Sequence, residues 1–256
     1  MGILNLTPDS FFAGSRFSGV DAVLQHAERM LADGADILDL GGQSSRPGAV
    51  QVSAEEELKR LLPALEALVK RFPEAVLSID TFYSRVASSC IAAGASIIND
   101  ISSGEDDQEM LPTIARLQVP YIAMHKKGKP GNMQQQAVYE DVTLEVMDYF
   151  SRKIQHFKSQ GIHELILDPG FGFAKTVAHN FELLGRLEDF RVLGYPVLAG
   201  LSRKSMIWRT LKSDPEHALN GSTALHAVAL MKGASILRVH DVREAMETVK
   251  LLNCLP

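Results

Sequence analysis

The sequence predicts an α/β protein folded as a single (β/α)8 (TIM) barrel. Eight short apolar runs occur along the chain, and residues with the 3.6-residue periodicity of an amphipathic helix separate nearly every pair of runs. Several helical segments end in a glycine that is followed closely by an apolar run. The length of 256 residues is close to that of one such barrel. We therefore expect one domain that covers residues 1–256.

The apolar runs are the predicted strands, and polar residues stand at or just past their C-terminal ends. The runs are 2–6, 37–40, 76–79, 96–98, 121–124, 165–167, 197–199 and 236–239. The polar residues are Asn5, Asp39, Asp80, Asn99, Asp100, His125, Asp168, Ser202, Lys204, Arg238 and His240. In a (β/α)8 barrel the C-terminal strand ends form one rim, which carries the active site. We therefore expect these side chains to form a single site.

The predicted helices lie between the strands and pack on the outside of the barrel. One of them begins after Ser53, with Glu56 three residues later, a pair that is typical of a helix N-terminus. Glycines end helices in ADGADILDL, AAGASIIND, SQGIHELILD and MKGASILRV, because glycine adopts the left-handed conformation at little cost. The helix near 221–231 is apolar on several sides, so it either lies within the barrel shell or contributes to an interface.

The composition indicates a soluble cytoplasmic protein that acts on a small molecule. The net charge of -5 and the pI near 5.9 give no overall attraction to nucleic acid or anionic membranes, so we expect neither as a partner. Cys90 and Cys254 have no spacing that suggests zinc or a disulfide framework. No window approaches the roughly 20 apolar residues of a membrane span.

Two loops that follow the first two strands carry candidate ligand-binding groups. Asn5 offers a neutral oxygen to a hard cation and Asp9 adds a charge, so the pair suits a magnesium phosphate. The alternative for Asp9 is local capping of the loop backbone. In GGQSSRPG (41–48), glycines let the backbone approach a ligand and Arg46 supplies a planar fork of donors. The alternative is an ordinary turn with a surface arginine.

Carboxylates at three strand ends indicate a ligand with several N–H donors. Asp80, Asn99 and Asp168 end different strands, and buried carboxylates are costly unless something donates to them. The edge of a pterin or guanine ring presents adjacent donors of this kind. The aromatic rings of DPGFGF (168–173) could stack on such a heterocycle. Alternatively, Asp80 caps the next helix, and Asp39 is more consistent with a barrel-interior ion than with a ligand contact.

Two clusters of cationic groups indicate a phosphorylated substrate. LSRKS (201–205) follows a strand and opens a helix, and it combines hydroxyls, two cations and free helix N–H groups. Arg238 and His240 in RVHD add a second pair on the same rim, near the usual phosphate position of such barrels. We interpret five other histidines as ordinary surface or core residues, namely His26, His156, His163, His179 and His217.

Seven motifs in fixed order give the chain a resemblance to a known family. They are MGILNLTPDSF, GGQSSRPG, SIDT, IIND, DPGFGF, GLSRKS and RVHDV, each at a strand end. Together they resemble the dihydropteroate synthase family of pterin-binding enzymes, and the resemblance covers essentially the whole chain.

The resemblance implies a transferase of folate biosynthesis and a target of sulfonamides. In that family 6-hydroxymethyl-7,8-dihydropterin pyrophosphate condenses with 4-aminobenzoate, which gives 7,8-dihydropteroate and pyrophosphate with Mg²⁺ as cofactor. The pterin methylene can leave as a ring-stabilised cation, so no strong base is required. The resemblance also implies a homodimer that forms through the outer helices.

The resemblance also implies a role for each matching residue. The pterin site would comprise Asp80, Asn99, Ile101, Met124, Asp168, Phe173, Gly200 and Lys204. The diphosphate would meet Asn5, Arg46, Arg238 and His240, with Asn5 on the metal. The aminobenzoate would be bordered by Ser45, Arg46, Pro47, Lys204 and Ser205. Lys204, Arg238 and Asp9 would be catalytic, and Arg238→Ala is expected to lower turnover while leaving the fold intact.

Several positions depart from the family pattern. Ala13 stands where a second loop aspartate is common, and that aspartate is implicated in shielding the cation. Gln43 replaces a common glutamate, Ser45 a common threonine and Ala174 a common glycine.

Two alternative functions remain at this point. One is a pterin or methyltetrahydrofolate-binding methyltransferase domain, which shares the carboxylate and asparagine cluster but has no diphosphate to hold. SRKS (202–205), together with Arg238 and His240, counts against it. The other is a non-catalytic pterin-binding protein, and Ala13 is the feature that favours it.

Overall fold

The structure is a computed structural model that describes residues 1–7, 16–43, 51–128 and 133–255. Five residues that the sequence analysis singled out lie outside these ranges, namely Asp9, Ala13, Ser45, Arg46 and Pro47. All other candidate site residues are described.

Eight parallel strands in the described ranges form the barrel that the sequence predicts. They are β1 (Gly2–Asn5), β2 (Ile37–Gly41), β3 (Val76–Asp80), β4 (Ile97–Asp100), β5 (Tyr121–Met124), β6 (Leu165–Asp168), β7 (Leu198–Ala199) and β8 (Ile236–Leu237). Strands β1 to β6 pair in sequence order, and β7 pairs with β8. Parallel bridges join Leu167 to Val197 and Gly2 to Val239. The sheet therefore closes on itself, and the predicted architecture is confirmed.

Helices follow the strands and surround the barrel. They are α1 (Arg16–Ala32), α2 (Ala54–Arg71), α3 (Ser84–Ala92), α4 (Met110–Leu117), α5 (Val142–Ser159), α6 (Val177–Gly185), α7 (Ser205–Thr210), α8 (Leu219–Met231) and α9 (Val242–Leu252). Short 3₁₀ helices cover Met133–Gln136 and Leu187–Leu193. Of the helices described, none has the length and apolar character needed to cross a lipid bilayer.

The helix termini follow the local sequence signals. Ser53 Oγ accepts a hydrogen bond from the backbone N–H of Glu56 over 3.3 Å, which caps α2. The four glycines of the repeated motif all have a positive φ, and they are Gly34, Gly94, Gly161 and Gly233. Glycine therefore ends these helices in the conformation that its lack of a side chain makes accessible.

Alternation along the strands places an apolar layer beneath a polar rim. Ile97, Ile122 and Leu198 form a buried cluster, and Ile37, Ile166 and Ile236 pack against it. Residues two positions apart on a strand face the same side. The next inward positions on these six strands are Asp39, Asn99, Met124, Asp168, Gly200 and Arg238. The strands therefore carry the candidate site residues toward one end of the barrel interior.

Helix α8 packs against the barrel along one side. Ser222, His226 and Ala229 are buried, whereas the side chain of Met231 is 66% exposed. The structure thus places part of this apolar helix in the barrel shell and leaves its C-terminal end at the surface.

Candidate active site

Arg238 lies at the centre of a charged network inside the barrel. Its Nε donates to Asp39 Oδ2 over 2.6 Å, and its Nη2 donates to Asp80 Oδ2 over 2.8 Å. Asn99 Nδ2 donates to the same oxygen of Asp39 over 3.1 Å. Asp39 is fully buried, as expected for a barrel-interior ion. Because Arg238 neutralises Asp39, the expectation that Arg238→Ala leaves the fold intact has to be revised.

Asp80 belongs to this network and does not cap the helix that follows it. The N-cap residue of α3 is Tyr83, which makes no side-chain capping hydrogen bond. Burial raises the pKa of Asp80 to about 7, although the nearby guanidinium of Arg238 acts in the opposite direction. Burial by itself would lower the pKa of Arg238, but Asp39 and Asp80 raise it above its ordinary value. Arg238 therefore stays charged.

The DPGFGF loop presents Asp168 at the end of β6. Gly170 N donates to Asp168 Oδ1 over 2.8 Å, and His125 N donates to the backbone oxygen of Asp168 over 2.9 Å. Burial raises the pKa of Asp168, while Lys204 and the Gly170 N–H oppose the shift. One backbone donor therefore holds the carboxylate, a second holds the main chain of Asp168, and Oδ2 is not engaged by Gly170.

Lys204 reaches from the start of α7 to the DPGFGF loop. Its Nζ donates to the backbone oxygen of Phe171 and lies 4.8 Å from the centroid of the Phe173 ring. Burial lowers the pKa of Lys204 to about 8, and the charge of Asp168 opposes the shift. A Cβ added at Gly200 would lie 3.9 Å from Lys204 Nζ, so the lysine passes close to this glycine. The structure therefore brings together four of the predicted pterin residues, namely Asp168, Phe173, Gly200 and Lys204.

An apolar wall stands beside these polar groups. Ile101, Met124 and Phe82 form a buried cluster, and Phe173 packs against it. The sequence analysis assigned three of these four residues to one pocket wall, and they are neighbours in the structure. Phe82, which directly follows the SIDT motif, was missed because an isolated aromatic residue carries no local signal of its role.

The candidate diphosphate residues that are described lie at the rim. A Cβ added at Gly41 would be 3.9 Å from Asn5 Oδ1 and 3.8 Å from Asp80 Oδ2, so both side chains border the space at Gly41. His240 Nδ1 lies 3.1 Å from Ser202 Oγ. Within the described ranges, no group of three or more His, Cys, Asp or Glu side chains could hold a metal ion.

Arg203 is a structural residue, which corrects the interpretation of SRKS as a site with two cations. Its Nε and Nη2 donate to the two carboxylate oxygens of Asp241 over 2.9 and 2.8 Å. Its Nη1 donates to the backbone oxygens of Pro215 and Glu216, each over 3.0 Å. Lys204 is thus the cation of this motif that faces the candidate site, and Ser205 begins α7 beside it.

Glu57 is a buried acid that the sequence analysis missed. Thr81 Oγ1 donates to its Oε2 over 3.0 Å, and Gln43 Nε2 donates to its Oε1 over 3.4 Å. Burial raises the pKa of Glu57 to about 8, although the Thr81 hydrogen bond acts against the shift. Glu57 therefore links α2 to the loops that follow β2 and β3. Its leucine-rich helical context gives no signal that an acid is buried there.

Lys175 and His125 form a second buried pair that sequence reasoning did not connect. Lys175 Nζ lies 3.0 Å from His125 Nδ1 and donates to the backbone oxygen of Gly170 over 3.0 Å. Both side chains are 3% exposed. The position of Lys175 two residues after the end of DPGFGF is the one signal that the sequence carries.

Comparisons with known proteins agree on one family. The sequence model described as "Pterin binding enzyme" matches residues 1–240. Dihydropteroate synthase of Escherichia coli (strain K12) is 44% identical over 254 residues, which is 98% of this chain and 89% of that protein. The Yersinia pestis dihydropteroate synthase, solved with a sulfonamide drug complex, is 43% identical with a TM-score of 0.93 over 99% of this chain and 92% of its own. Xanthomonas albilineans dihydropteroate synthase with 4-aminobenzoic acid is 41% identical, with a TM-score of 0.92 over 100% and 93%.

Proposed function

Since this chain belongs to the pterin-binding enzyme family, and within it to the dihydropteroate synthases, we propose that its barrel rim carries out that family's reaction in folate biosynthesis. The chain is a transferase that joins 6-hydroxymethyl-7,8-dihydropterin pyrophosphate to 4-aminobenzoate. The products are 7,8-dihydropteroate and pyrophosphate.

One observation carries the assignment of this reaction to the rim. Asp80, Asn99 and Asp168 come from the ends of three strands, and Lys204, the N-cap residue of α7, is near enough to interact with the charges of Asp168 and Asp80. The apolar wall meets Lys204 at the ring of Phe173. A pterin has adjacent N–H donors on one edge, ring acceptors beside them and two flat faces. The carboxylates would accept from the edge, and the wall of Ile101, Met124 and Phe173 would cover a face. Gly200 lies next to Lys204, since a Cβ added at the glycine would be 3.9 Å from Lys204 Nζ.

Arg238, His240, Asn5 and Arg46 would bind the diphosphate. Arg238 and His240 follow β8 on the same rim, and arginine matches phosphate oxygens with paired donors. In the described ranges Arg238 engages carboxylates through Nε and Nη2, which leaves Nη1 for an oxygen of the substrate. The positive charge of Arg238 favours a substrate with a diphosphate group over the methyl donor of a pterin-binding methyltransferase, which has no diphosphate.

The residues present fit a magnesium ion that arrives with the diphosphate. Asn5 offers a neutral carboxamide oxygen that borders the same space at Gly41 as Asp80, and Mg²⁺ commonly keeps several waters and substrate phosphate oxygens among its ligands. Asn5 would hold the ion, without a dedicated protein cage. When bound, Mg²⁺ neutralises part of the negative charge on the leaving pyrophosphate.

The aminobenzoate would lie between Lys204, Ser205 and the loop that contains Ser45, Arg46 and Pro47. The Xanthomonas albilineans relative was solved with 4-aminobenzoic acid, and the Yersinia pestis relative with a sulfonamide drug complex. A basic and hydroxyl-rich border suits the carboxylate of this substrate. We expect sulfonamides to compete for the same place on this chain.

The chemical step depends more on stabilising the charges of the leaving diphosphate and the pterin cation than on a strong base. The bond between the methylene carbon and the diphosphate oxygen breaks, and its electron pair leaves with the diphosphate while the pterin ring spreads the positive charge. The arylamine nitrogen then attacks the carbon and loses its proton to water or to the departing pyrophosphate. Arg238 would stabilise the leaving group, Lys204 would position the ring, and Asp9 would shield the cation in the absence of an acid at position 13.

The test is a stoichiometric assay of the purified chain with the pterin pyrophosphate and Mg²⁺, with and without 4-aminobenzoate. We expect one dihydropteroate for each pyrophosphate released, and release that depends on 4-aminobenzoate or is accelerated by it. Tight substrate binding without product would instead favour a non-catalytic pterin-binding protein, which the alanine at position 13 would then explain.

We also propose that the chain works as a homodimer in the cytoplasm. The exposed apolar side chains Val228 and Met231 at the end of α8, with Leu251 at the end of α9, support a contact through the outer helices. Sedimentation at several concentrations tests this proposal. A species of twice the chain mass is expected, and a monomer at all concentrations would contradict it.

A further inference from the structure

Lys175 is a buried lysine that the proposed reaction does not use. It lies between β6 and α6, two residues after the end of the DPGFGF motif, and its side chain is 3% exposed. Burial of an ammonium group is costly unless its donors find acceptors and its charge is compensated. The contacts of Lys175 satisfy its donors, and Asp168 compensates its charge only in part.

Three acceptors surround the ammonium group. Lys175 Nζ donates to the backbone oxygens of Gly170 and Phe173 over 3.0 and 3.2 Å, and it lies 3.0 Å from His125 Nδ1. An ammonium has three donors and no acceptor, so Nδ1 of His125 must accept and the imidazole is neutral. Burial, followed by the charge of Lys175, lowers the pKa of His125 well below its usual range, which agrees with this arrangement.

The charged groups near Lys175 are Asp168, Lys204 and Lys127. Burial lowers the pKa of Lys175 to about 7; Asp168 opposes the shift, and the two other lysines add to it. In turn, burial raises the pKa of Asp168, and the groups that oppose this rise are Lys204, the Gly170 N–H, Arg238 and Lys175. Below neutral pH, therefore, a charged Lys175 favours an ionised Asp168.

We propose that Lys175 is a positioning residue for the pterin subsite. It fixes the backbone that presents Asp168 and Phe173, and its charge keeps the Asp168 carboxylate ionised. Lys175 does not contact the pterin itself. The inference rests on the proposed function, because it requires that Asp168 accepts hydrogen bonds from the pterin edge.

The inference predicts a specific pH dependence of pterin binding. An ionised carboxylate accepts from two N–H donors, whereas a protonated one does not, so affinity falls as the pH drops through the pKa of Asp168. Asp80, which interacts with Asp168 and has a pKa of about 7, also loses its charge in this range, in the wild type and the variants alike. Without the charge of Lys175 this pKa is higher. The loss of affinity on acidification then begins at a higher pH.

The test is the affinity of Lys175→Gln for 6-hydroxymethylpterin, measured by calorimetry from about pH 5 to about pH 7.5. This probe has no diphosphate, so neither the metal nor turnover affects the result. We expect the midpoint of the acid limb to move upward by about one pH unit, with up to about tenfold weaker binding on the acidic side. Affinity near pH 7.5 should change much less.

Thr176→Ala is the matched control. Thr176 is the exposed neighbour that caps α6, and its hydroxyl accepts from His179 N over 3.1 Å. Its loss loosens the same loop without removing a charge, so any weakening should be uniform across the pH range. Lys175→Met serves as a second variant if Lys175→Gln does not fold, because an unbranched apolar chain suits the buried position.

Three results would overturn the inference. An unshifted midpoint in the Lys175 variants, with normal binding by the wild type, would refute the role of Lys175 and leave the proposed function standing. An equal shift in Thr176→Ala would show that loop order alone sets the pH dependence. Absence of pterin binding by the wild type at every pH would remove the proposed pterin subsite and the inference with it.

Discussion

At the scale of single residues, Arg238 connects the reaction to the stability of the barrel. It neutralises Asp39, which is 0% exposed, and it also contacts Asp80, which ends a neighbouring strand. Removal of a cation from a buried pair leaves the partner charge without compensation. A substitution here should therefore affect both the chemistry and the fold.

Arg238→Ala is predicted to lower kcat by about a hundredfold, because a preorganised donor to the leaving group is lost. It should also lower the free energy of unfolding by roughly 3 kcal/mol, because Asp39 stays buried without its cation. Steady-state kinetics and urea unfolding measure the two effects.

The double variant Asp39→Asn with Arg238→Gln separates these effects. Removal of both charges should recover at least half of the lost stability without restoring turnover. Equal stability of wild type and Arg238→Ala would contradict the proposed coupling.

Glu57 should make the free energy of unfolding decrease as the pH rises, whereas a salt-bridged acid makes it increase. Its pKa is raised to about 8 by burial, so the native state holds this proton more tightly than the unfolded state does. The resulting stabilisation is complete below the ordinary glutamate pKa and is lost as the pH rises toward 8. Glu57→Gln is neutral at every pH, so it should exceed the wild type by about 1 to 3 kcal/mol near pH 8 and match it near pH 5.

Urea unfolding at both pH values tests the Glu57 prediction. Glu56→Gln is the control, because this neighbouring side chain on α2 is 45% exposed and pairs with Arg60 at the surface. The control should keep the pH dependence of the wild type. A Glu57→Gln variant with that same dependence would refute the assignment of a raised pKa to Glu57.

At the scale of elements, the turn after β6 depends on a close approach of two backbones. Gly170 has a φ of +73°, and a Cβ added there would lie 1.9 Å from the backbone oxygen of His125. Gly161 has a φ of +84°, but no described atom lies within 4 Å of its added Cβ. The two glycines therefore share a backbone conformation and differ in the space around it.

Gly161→Ala is predicted to cost about 1 kcal/mol, because only the left-handed conformation is strained. Gly170→Ala should cost more and should abolish pterin binding, because the turn that presents Asp168 has to move. Thermal unfolding and pterin titration of both variants provide the test. Similar behaviour of the two variants would mean that the close contact with His125 does not determine the turn.

The elements themselves were predictable because their signals are local. Pairs such as Ile97 with Asn99 and Ile236 with Arg238 place an apolar and a polar residue on one face of a short run, which indicates both a strand and its rim end. The partners were not predictable in this way. Asp39 and Arg238 are 199 residues apart, so only barrel closure brings them together.

At the scale of the whole molecule, the sequence predicted the barrel and the residues at its rim better than the buried charged groups that surround the rim. Burial of Lys175 and Glu57 depends on how separate loops meet, and neither residue differs locally from a solvated charge. Conversely, Arg203 lies in a motif rich in hydroxyls and cations, yet its contacts are with Asp241 and the chain after α7. Tertiary contacts decide which charges bind ligands and which hold the fold.

The barrel as a whole should be stabilised by pyrophosphate with Mg²⁺, because such a ligand binds the folded rim only. At a concentration of about 100 times Kd the gain is about 2.7 kcal/mol, which corresponds to a Tm increase of roughly 5 to 10 °C for a chain of this size. Arg238→Gln should lose most of this response. Lys158→Gln should keep the Tm increase, because Lys158 lies at the C-terminal end of α5, on the other end of the barrel. A similar loss of the Tm increase in both variants would indicate non-specific charge effects.

The most direct measurement is a crystal structure of this chain with 6-hydroxymethylpterin and pyrophosphate. The account predicts the pterin edge within hydrogen-bond distance of Asp80, Asn99 and Asp168, the ring against Phe173, and the pyrophosphate on Arg238 and His240. A pterin bound elsewhere, or a pyrophosphate that does not contact Arg238, would contradict the assignment of the reaction to this rim.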